Sequence, residues 1–482
     1  MTDHQSYNPG SLTRRELLAS GGVGLGSFAL SYLLGEEARA AGLPGGHDLK
    51  PKAPHFKGRA KAVIQLVQTG GPSQMDLFDP KPELTRLDGK TFTEDTEPLQ
   101  PGSEANKLLG SPFQFQVHGE CGMELSELVP HIGEVADDIC LVRSQLSTHN
   151  NHTEAIVTLA TGFLNTGRPV LGAWVSYALG TENQDLPAYV VLRDPNGYAT
   201  SGGLMVKNEW LPAIYGGTEF STTGDPVHNL KPSTPRPASV ERRTLDFITR
   251  LNSRQLARYP LESDLAARIQ NFELAARMQF SATDVLDVSQ ESKYTRGLYG
   301  LDNDRTKSYG TRCLMARRLV EAGVRFVQVF VGAGQPWDQH QDLRANILSM
   351  SAGDTPSAGL IKDLKDRGLL DSTVVIWAGE FGRLPVSQET PGSARDGRDH
   401  NKYAGSLWIA GGGFKKGFVY GVTDDVGFRA TENHFTMPDM FATVAHALGL
   451  DHDRVVFNHQ GRVETMTDAK VSSAKVHHDL LA

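Results

Sequence analysis

Residues 373–413 read TVVIWAGEFGRLPVSQETPGSARDGRDHNKYAGSLWIAGGG, and this stretch decides the fold. Its apolar, β-branched start predicts a buried strand over Thr373–Ala378. Charged and imidazole side chains follow that strand at Glu380, Arg383, Asp399 and His400. Ligands of open α/β sheets bind outside the carboxyl ends of the strands. Because carboxylate and imidazole suit a divalent metal and a guanidinium suits an oxyanion, the stretch indicates a strand-end site; a surface loop with ordinary charges is the alternative.

Strands and helices alternate along the rest of the chain. Three more apolar strands are predicted over Ala62–Gln68, Asp138–Gln145 and Arg325–Val331. Helical spacing predicts helices over Leu171–Leu179, Leu261–Phe280, Thr311–Ala322 and Ser357–Arg367. The apolar face of the second of these helices is formed by Leu265, Ile269, Phe272 and Ala276. This alternation predicts an α/β fold with a mostly parallel sheet and helices on both of its faces.

Polar clusters follow each of the four predicted strands, and in a parallel sheet those strand ends lie along one edge. The potential metal ligands are Asp76, His149, His152, Asp338, His340, Glu380, Asp399 and His400. Asp338 and His340 alternate, so both point to one side of an extended backbone. His149 and His152 are costly to bury without partners, although two unrelated solvent histidines are the alternative. The set suffices for one or two divalent metals, with zinc fitting best and manganese or calcium as alternatives.

Composition excludes several function classes. The 482 residues carry a net charge of -8 and contain no basic run, which argues against a nucleic-acid partner. The three cysteines form no CxxC pair, so neither a disulfide framework nor a thiolate zinc site is indicated.

The N-terminus resembles a bacterial twin-arginine export signal. Arg14 and Arg15 precede a glycine-rich apolar run, and Ala38-Arg-Ala40 offers a small-x-small cleavage site. The run is shorter than the ~20 residues that span a membrane, so no membrane span is expected in the mature chain. We therefore predict a signal peptide over residues 1–40, a linker over residues 41–61, one α/β domain over residues 62–482, and a periplasmic or extracellular location.

Five motifs carry a resemblance to a known family. In chain order they are GGPSQMDLFDPKPEL (70–84), STHNNHTEA (147–155), WDQH (337–340), GEFGRLP (379–385) and GRDHN (397–401). With them, the chain from about Ala62 to about Arg462 resembles the DUF1501 family, exported bacterial proteins that are often labelled sulfatase-like. That family in turn resembles the alkaline phosphatase superfamily of phosphatases, sulfatases and phosphodiesterases. The resemblance implies an alkaline-phosphatase-like three-layer sandwich with a central, mostly parallel sheet.

The resemblance also implies roles for individual metal ligands. Asp338, His340 and His400 match the superfamily's first metal site. At the second site Glu380 stands where Asp is usual, and Phe381 stands where the adjacent His would be. The first strand ends without the usual ligand Asp, so Asp76 is expected to substitute for it.

The candidate catalytic residues are His152, Thr153 and Arg383. The resemblance implies that His152 falls at the nucleophile position, with Thr153 beside it, whereas Arg383 is a candidate because its guanidinium suits an oxyanion. No Cys or Ser lies in a C/S-x-P-x-R sulfatase motif, so a formylglycine nucleophile is not expected.

Two function classes follow. The first is an exported metal-dependent hydrolase of phosphate or sulfate esters, with a small molecule or glycan ester as substrate and His152 or a metal-activated water as nucleophile. The second is a catalytically inactive exported module that keeps the metal for structure or for binding an anionic glycan. Departures from the superfamily's pattern at Phe381 and at the nucleophile position favour the module. The concentration of His and carboxylate groups favours the hydrolase.

Overall fold

The computed structural model describes residues 48–222, 237–259, 263–338, 340–344, 351–389 and 397–482. The predicted export signal lies outside these ranges and stays a prediction. The described end of the predicted linker packs on the fold, because Leu49 is buried and the backbone N–H of Lys52 donates to the carbonyl of Leu179 at 2.9 Å.

Apolar strands form the centre of the molecule. In chain order the strands are β1 (Ala62–Val67), β2 (Phe115–His118), β3 (Met123–Ser126), β4 (Ile139–Leu146), β5 (Tyr189–Leu192), β6 (Thr218–Glu219), β7 (Phe326–Phe330), β8 (Thr373–Ala378), β9 (Gly382–Arg383), β10 (His400–Asn401), β11 (Gly405–Ala410), β12 (Phe418–Tyr420), β13 (Val422–Thr423), β14 (Ala430–Glu432), β15 (Phe435–Thr436), β16 (Val456–His459) and β17 (Arg462–Thr465). The four strands predicted from sequence correspond to β1, β4, β7 and β8.

Within the described residues, the main sheet has nine strands in the order β12-β4-β11-β8-β1-β7-β5-β6, with β15 also paired to β4. Strand β11 runs antiparallel to β4 and β8, and the other pairings are parallel. Every residue of β1, β7 and β8 is buried, as expected of strands covered on both faces. The predicted mostly parallel central sheet is therefore confirmed, and β1, β7 and β8 are inner strands.

Helices flank the sheet. They are α1 (Gln74–Leu77), α2 (Pro82–Arg86), α3 (Pro130–Gly133), α4 (His152–Thr161), α5 (Leu171–Leu179), α6 (Ala238–Arg258), α7 (Ser263–Leu286), α8 (Lys293–Leu298), α9 (Asp304–Glu321), α10 (Asp354–Asp366), α11 (Met437–Ala447) and α12 (Ala469–Ser472). Among the described residues, no helix combines the length and apolar character needed to cross a membrane.

The predicted apolar face of α7 is wrong at one position. Phe272 is 44% exposed, whereas Leu274 and Met278 are buried in the core. The helix therefore buries a different side than its spacing indicated, because Leu274 and Met278 supply the burial that Phe272 was expected to supply.

Candidate metal centre

Loops from four strands meet at one edge of the main sheet. The loop after β8 reaches the loop after β1, where Gly70 N–H donates to Glu380 Oε1 at 2.8 Å. The loop after β7 reaches the same place, since Trp337 N–H donates to the carbonyl of Thr69 at 3.1 Å. Helix α4, which follows β4, brings His152 Nδ1 to 2.7 Å from Glu380 Oε1. Because β4, β1, β7 and β8 run in the same direction, their carboxyl ends share this edge.

Three imidazoles converge on Asp338 Oδ1. The Nε2 atoms of His340, His152 and His400 lie 2.8, 3.2 and 3.2 Å from this oxygen, respectively. The Nε2 atoms of His340 and His400 lie 3.1 Å apart, and all four ligand atoms lie within 4.8 Å of one another. Ligand atoms that share one zinc ion at ~2.0–2.2 Å each lie about 3–4 Å apart. The four groups therefore have the spacing of one divalent metal site.

Local structure fixes the rings of His152 and His400. His152 is the first residue of α4, which Asn151 caps by accepting from Thr153 N–H at 3.0 Å. His400 lies in β10, which pairs with β9 so that His400 faces Arg383. Its Nδ1 atom lies 2.7 Å from the carbonyl oxygen of Asn150. These contacts leave the Nε2 atoms of both rings directed toward Asp338.

Arg383 is held by the loops around the centre. Its Nε donates to the carbonyl of Gly71 at 2.8 Å, and its Nη1 donates to the carbonyl of Arg398 at 3.0 Å. Its Nη2 donates to Asp338 Oδ1 at 2.8 Å, to the carbonyl of Trp337 at 3.1 Å, and to the carbonyl of Gly70. The side chain is 1% exposed. Arg383 therefore positions Asp338 and the surrounding loops, and does not point a free guanidinium into solvent.

Two buried polar atoms at the centre have no hydrogen-bond partner within the described residues. They are His152 Nε2 and Glu380 Oε2. A buried polar atom without a partner costs free energy, so the fold keeps such atoms where something else satisfies them. His152 Nε2 belongs to the four-group cluster, and a divalent metal would satisfy it. The donor set and its orphaned nitrogen therefore fit a metal ion.

Charge states at the centre also suit a metal. Burial raises the pKa of Asp338, but its contacts with the imidazoles of His152, His340 and His400 and the charge of Arg383 hold it well below its usual range. Burial lowers the pKa of His400 to about 3, against the opposing effect of Asp338. Burial also lowers the pKa of His152, yet the nearby carboxylates of Asp338 and Glu380 outweigh this and raise it above its usual value. At neutral pH the cluster therefore offers an ionised carboxylate and a neutral His400.

The centre has a buried side and an open side. Glu380 is 0% exposed, and the His400 and His152 side chains are 1% and 9% exposed. The side chains of Asp338 and His340 are 21% and 22% exposed. Solvent, and any ligand dissolved in it, thus reaches the cluster from the side of Asp338 and His340.

Asp76, which was expected to substitute as a metal ligand, is not brought to the cluster. It pairs with Arg398, whose Nε and Nη2 lie 2.8 and 3.2 Å from its two carboxylate oxygens. Ser73 Oγ donates to the same carboxylate at 2.5 Å. Both partners of this ion pair are fully buried. The Asp76 carboxylate therefore neutralises a buried guanidinium in the supporting structure.

Three other predicted site residues lie beside the cluster without joining it. Asp399 accepts hydrogen bonds from the backbone N–H groups of Leu99 and Gln100 at 2.8 and 2.7 Å. His149 Nδ1 accepts from the N–H of Asn151 at 2.9 Å. Thr153, next to His152, is exposed. Asp399 and His149 thus use these atoms to shape the loops that carry the ligands.

One residue that supports the cluster, Gln388, was not predicted from the sequence. Gln388 Oε1 lies 2.5 Å from His340 Nδ1, and Gln388 Nε2 donates to the carbonyl of Pro101 at 3.1 Å. A partner on the far ring nitrogen fixes the orientation of a metal-binding histidine. Gln388 stands in an irregular stretch with no recognisable motif, so only the fold brings it to His340.

Three solved hydrolases align with the chain at low identity. A phosphonate monoester hydrolase from Silicibacter pomeroyi aligns at 11% identity and a TM-score of 0.33, covering 87% of this chain and 78% of that one. A sulfatase from Pseudoalteromonas sp. aligns at 13% identity and a TM-score of 0.33, covering 82% of this chain and 68% of the sulfatase. An alkaline phosphatase from the Antarctic bacterium TAB5 aligns at 10% identity and a TM-score of 0.29, covering 82% of this chain and 99% of the phosphatase. At these TM-scores the likeness decides neither fold nor activity.

Comparison of the sequence with protein families is more specific than these structural alignments. No curated protein matches the chain. Residues 60–481 match the family described as "Protein of unknown function (DUF1501)". This match spans the sheet, the flanking helices and all four groups of the metal cluster, so the chain belongs to the DUF1501 family.

Proposed function

We propose that this protein is an exported metal-dependent hydrolase of phosphate or sulfate esters. The observation that carries the proposal is the convergence of His152, His340 and His400 on Asp338 Oδ1, with Asp338 and His340 reaching solvent. A metal ion whose only task is structural needs no open side. A hydrolase needs one, because its substrate must reach the metal.

The donor chemistry supports the same proposal. Structural zinc sites are mostly built from cysteine thiolates, whereas catalytic sites use histidine with a carboxylate. This cluster holds three imidazoles and one carboxylate. Zinc suits the set best, and manganese or calcium is the alternative.

The protein groups then have distinct tasks. A bound divalent metal would polarise the ester oxygen as a Lewis acid. His152, whose sequence position suggested a nucleophile, would act as a ligand, since its Nε2 lies 3.2 Å from Asp338 Oδ1. Arg383 would keep Asp338 ionised and oriented. Thr153 is the exposed hydroxyl beside His152 that a substrate can reach.

Ester turnover by the metal-loaded protein tests the proposal. Purified mature protein would be depleted of metal, reloaded with zinc, manganese or calcium, and assayed against aryl phosphate monoesters, phosphate diesters and sulfate esters. We expect metal-dependent turnover of at least one class, and its loss in Asp338→Asn. A matched control is Asp425→Asn, since Asp425 is exposed in a turn and is not one of the four groups of the cluster. A zinc-loaded protein that turns over none of these esters would contradict the hydrolase.

A second function is supported by a separate observation. Four protein groups would occupy all four coordination positions of a tetrahedral metal ion. The Arg383 guanidinium already donates hydrogen bonds to backbone carbonyls and to Asp338. This arrangement favours a non-catalytic module that holds the metal and binds an anionic glycan at its open side. Metal-dependent binding of a sulfated glycan without turnover would be the result expected of this module.

A further inference from the structure

Helix α6 (Ala238–Arg258) is the most exposed long helix in the described part of the chain. One side of it faces α7 (Ser263–Leu286), where Leu245 and Thr249 line a cleft with Phe272 and Glu273 of α7. Leu245 and Ile248 are half-buried on that side. On the side that points away from α7, no other described residue of the chain is seen to cover the large side chains Phe247 and Leu251, which are 58% and 46% exposed.

The uncovered side combines cations with large apolar side chains. At 100° per residue, seven residues fall within an arc of about 100° on the helix surface. They are the half-buried Val240 and six residues that we call the basic face: Arg243, Phe247, Arg250, Leu251, Arg254 and Arg258. Phe247 is 58% exposed and Leu251 is 46% exposed. Exposed aromatic and aliphatic side chains beside four arginines are unusual on a surface that contacts only water.

Within the described ranges, the charges of the basic face are not neutralised by other side chains. Among the described residues, none of its four arginines forms an ion pair, and Arg243 and Arg250 donate only to carbonyls of their own helix, those of Ser239 and Asp246. Helix α6 carries five arginines and two acidic residues, whereas the whole chain has a net charge of -8. The basic face is thus a local positive region on an acidic protein.

We propose that the basic face of α6 binds the surface of an anionic phospholipid membrane. An amphipathic helix lies in the membrane interface when arginines on it meet lipid phosphates and aromatic or aliphatic side chains enter the acyl boundary. The 21 residues of α6 make a helix about 30 Å long, long enough to lie across several headgroups. The contact would hold the protein at a membrane without spanning it.

The apolar residues distinguish this partner from a soluble polyanion. A nucleic acid or an acidic polysaccharide would use the four arginines but would leave Phe247 and Leu251 in water. A lipid surface uses both kinds of side chain, because guanidinium groups meet the phosphates while the rings and methyl groups leave water. The position of Phe247 and Leu251 between the arginines therefore favours the membrane.

Vesicle co-sedimentation tests the proposal with the full mature chain. The probes are phosphatidylcholine vesicles with and without phosphatidylglycerol. We expect partitioning onto the anionic vesicles alone, weakened by high salt because exposed charges are screened. Arg254→Gln should weaken it roughly fivefold, the amount expected for one arginine at a charged surface. Arg242→Gln is the matched control, since Arg242 is exposed on the same helix but lies outside the basic face.

The apolar contribution is tested separately. The double variant Phe247→Ser/Leu251→Ser should lose most of the partitioning, whereas Val463→Ser, the same type of loss at a side chain 64% exposed elsewhere, should leave it unchanged. These side chains are exposed, so the fold does not depend on them. The proposal would be overturned by equal losses in Arg242→Gln and Arg254→Gln, or by no binding to anionic vesicles. Binding to soluble heparin or DNA that the double variant leaves intact would overturn it in favour of a polyanion.

Discussion

Glu380 Oε1 lies 2.7 Å from His152 Nδ1, and this contact directs the other ring nitrogen of His152 toward Asp338. The same oxygen accepts a hydrogen bond from Gly70 N–H, so the carboxylate joins the loops after β1 and β8 to the start of α4. A carboxylate behind a metal-binding histidine fixes its tautomer and strengthens it as a ligand. Glu380 is therefore placed to tune the centre without being one of its four ligand groups.

Glu380→Gln should weaken zinc binding about tenfold or more. The amide keeps the size of the side chain but removes the charge that orients His152, and loss of such a partner typically costs about 10–100-fold in metal affinity. Competition with a zinc chelator would measure the affinity. Glu182→Gln is the control, because Glu182 is exposed and pairs with Arg325, which precedes β7 at the end of that strand opposite to the metal cluster. Equal affinities of Glu380→Gln and the wild type would refute the role of Glu380.

His400→Ala should strip zinc from the purified protein. His400 supplies one of four converging donor atoms, and the remaining three leave the ion less tightly held. His149→Ala should keep full zinc content, because His149 Nδ1 accepts from Asn151 N–H and the ring lies outside the cluster. Elemental analysis of both variants would measure the difference. Retention of zinc by His400→Ala would show that the ion binds elsewhere.

Asp76→Asn should destabilise the protein without changing its zinc content. The substitution leaves Arg398 buried without its counter-charge, and breaking a buried ion pair costs about 3–5 kcal/mol. Chemical denaturation would measure the loss in the free energy of unfolding. Loss of zinc from a variant that is still folded would restore Asp76 as a ligand.

Zinc affinity should fall as the pH drops through the raised pKa of His152. A protonated imidazole cannot bind a metal, and the nearby carboxylates of Asp338 and Glu380 raise this pKa above 6.5 despite the opposing effect of burial. His400 stays neutral at these pH values, because burial lowers its pKa to about 3. Zinc binding at pH 6 should therefore release a proton from His152, which calorimetry in buffers of different ionisation enthalpy would detect. An affinity that is constant between pH 5 and pH 8 would rule out His152 as a ligand.

Export by the twin-arginine route remains a prediction about residues outside the described ranges. Replacing Arg14 and Arg15 with lysine should hold the protein in the cytoplasm, because the paired arginines are the recognised feature of such signals. Cell fractionation would measure the distribution. Unchanged export of the double variant would exclude this route.

The sheet could be predicted because its strands are nearly continuous apolar runs. Strand β8 has the predicted bounds, Thr373–Ala378, and β1 ends one residue earlier than predicted, at Val67. Burial on both faces of a parallel sheet requires such runs, so the pattern is legible without any long-range information. The buried side of helix α7 was harder to predict, because Phe272 has the spacing of a core residue and yet lies exposed.

The site could be predicted only in part. Strand ends indicated which groups would come near the edge of the sheet, and Asp338, His340 and His400 do meet there. Spacing could not indicate which charged groups would form ion pairs with other side chains of the protein and therefore would not bind the metal. Asp76 is paired with a guanidinium 322 residues away, and that pairing exists only once the sheet has formed.

The four ligand groups come from three separate segments of the chain, between residue 152 and residue 400. An unfolded chain would have to close loops of 186 and 60 residues, the separations from 152 to 338 and from 340 to 400, to bring them together. The ion would therefore act as a cross-link that the native state holds and the unfolded chain does not. At a free metal concentration one hundred times the dissociation constant, this linkage adds about 2.7 kcal/mol to the free energy of unfolding. The melting temperature would then report the metal supply of the compartment in which the protein resides.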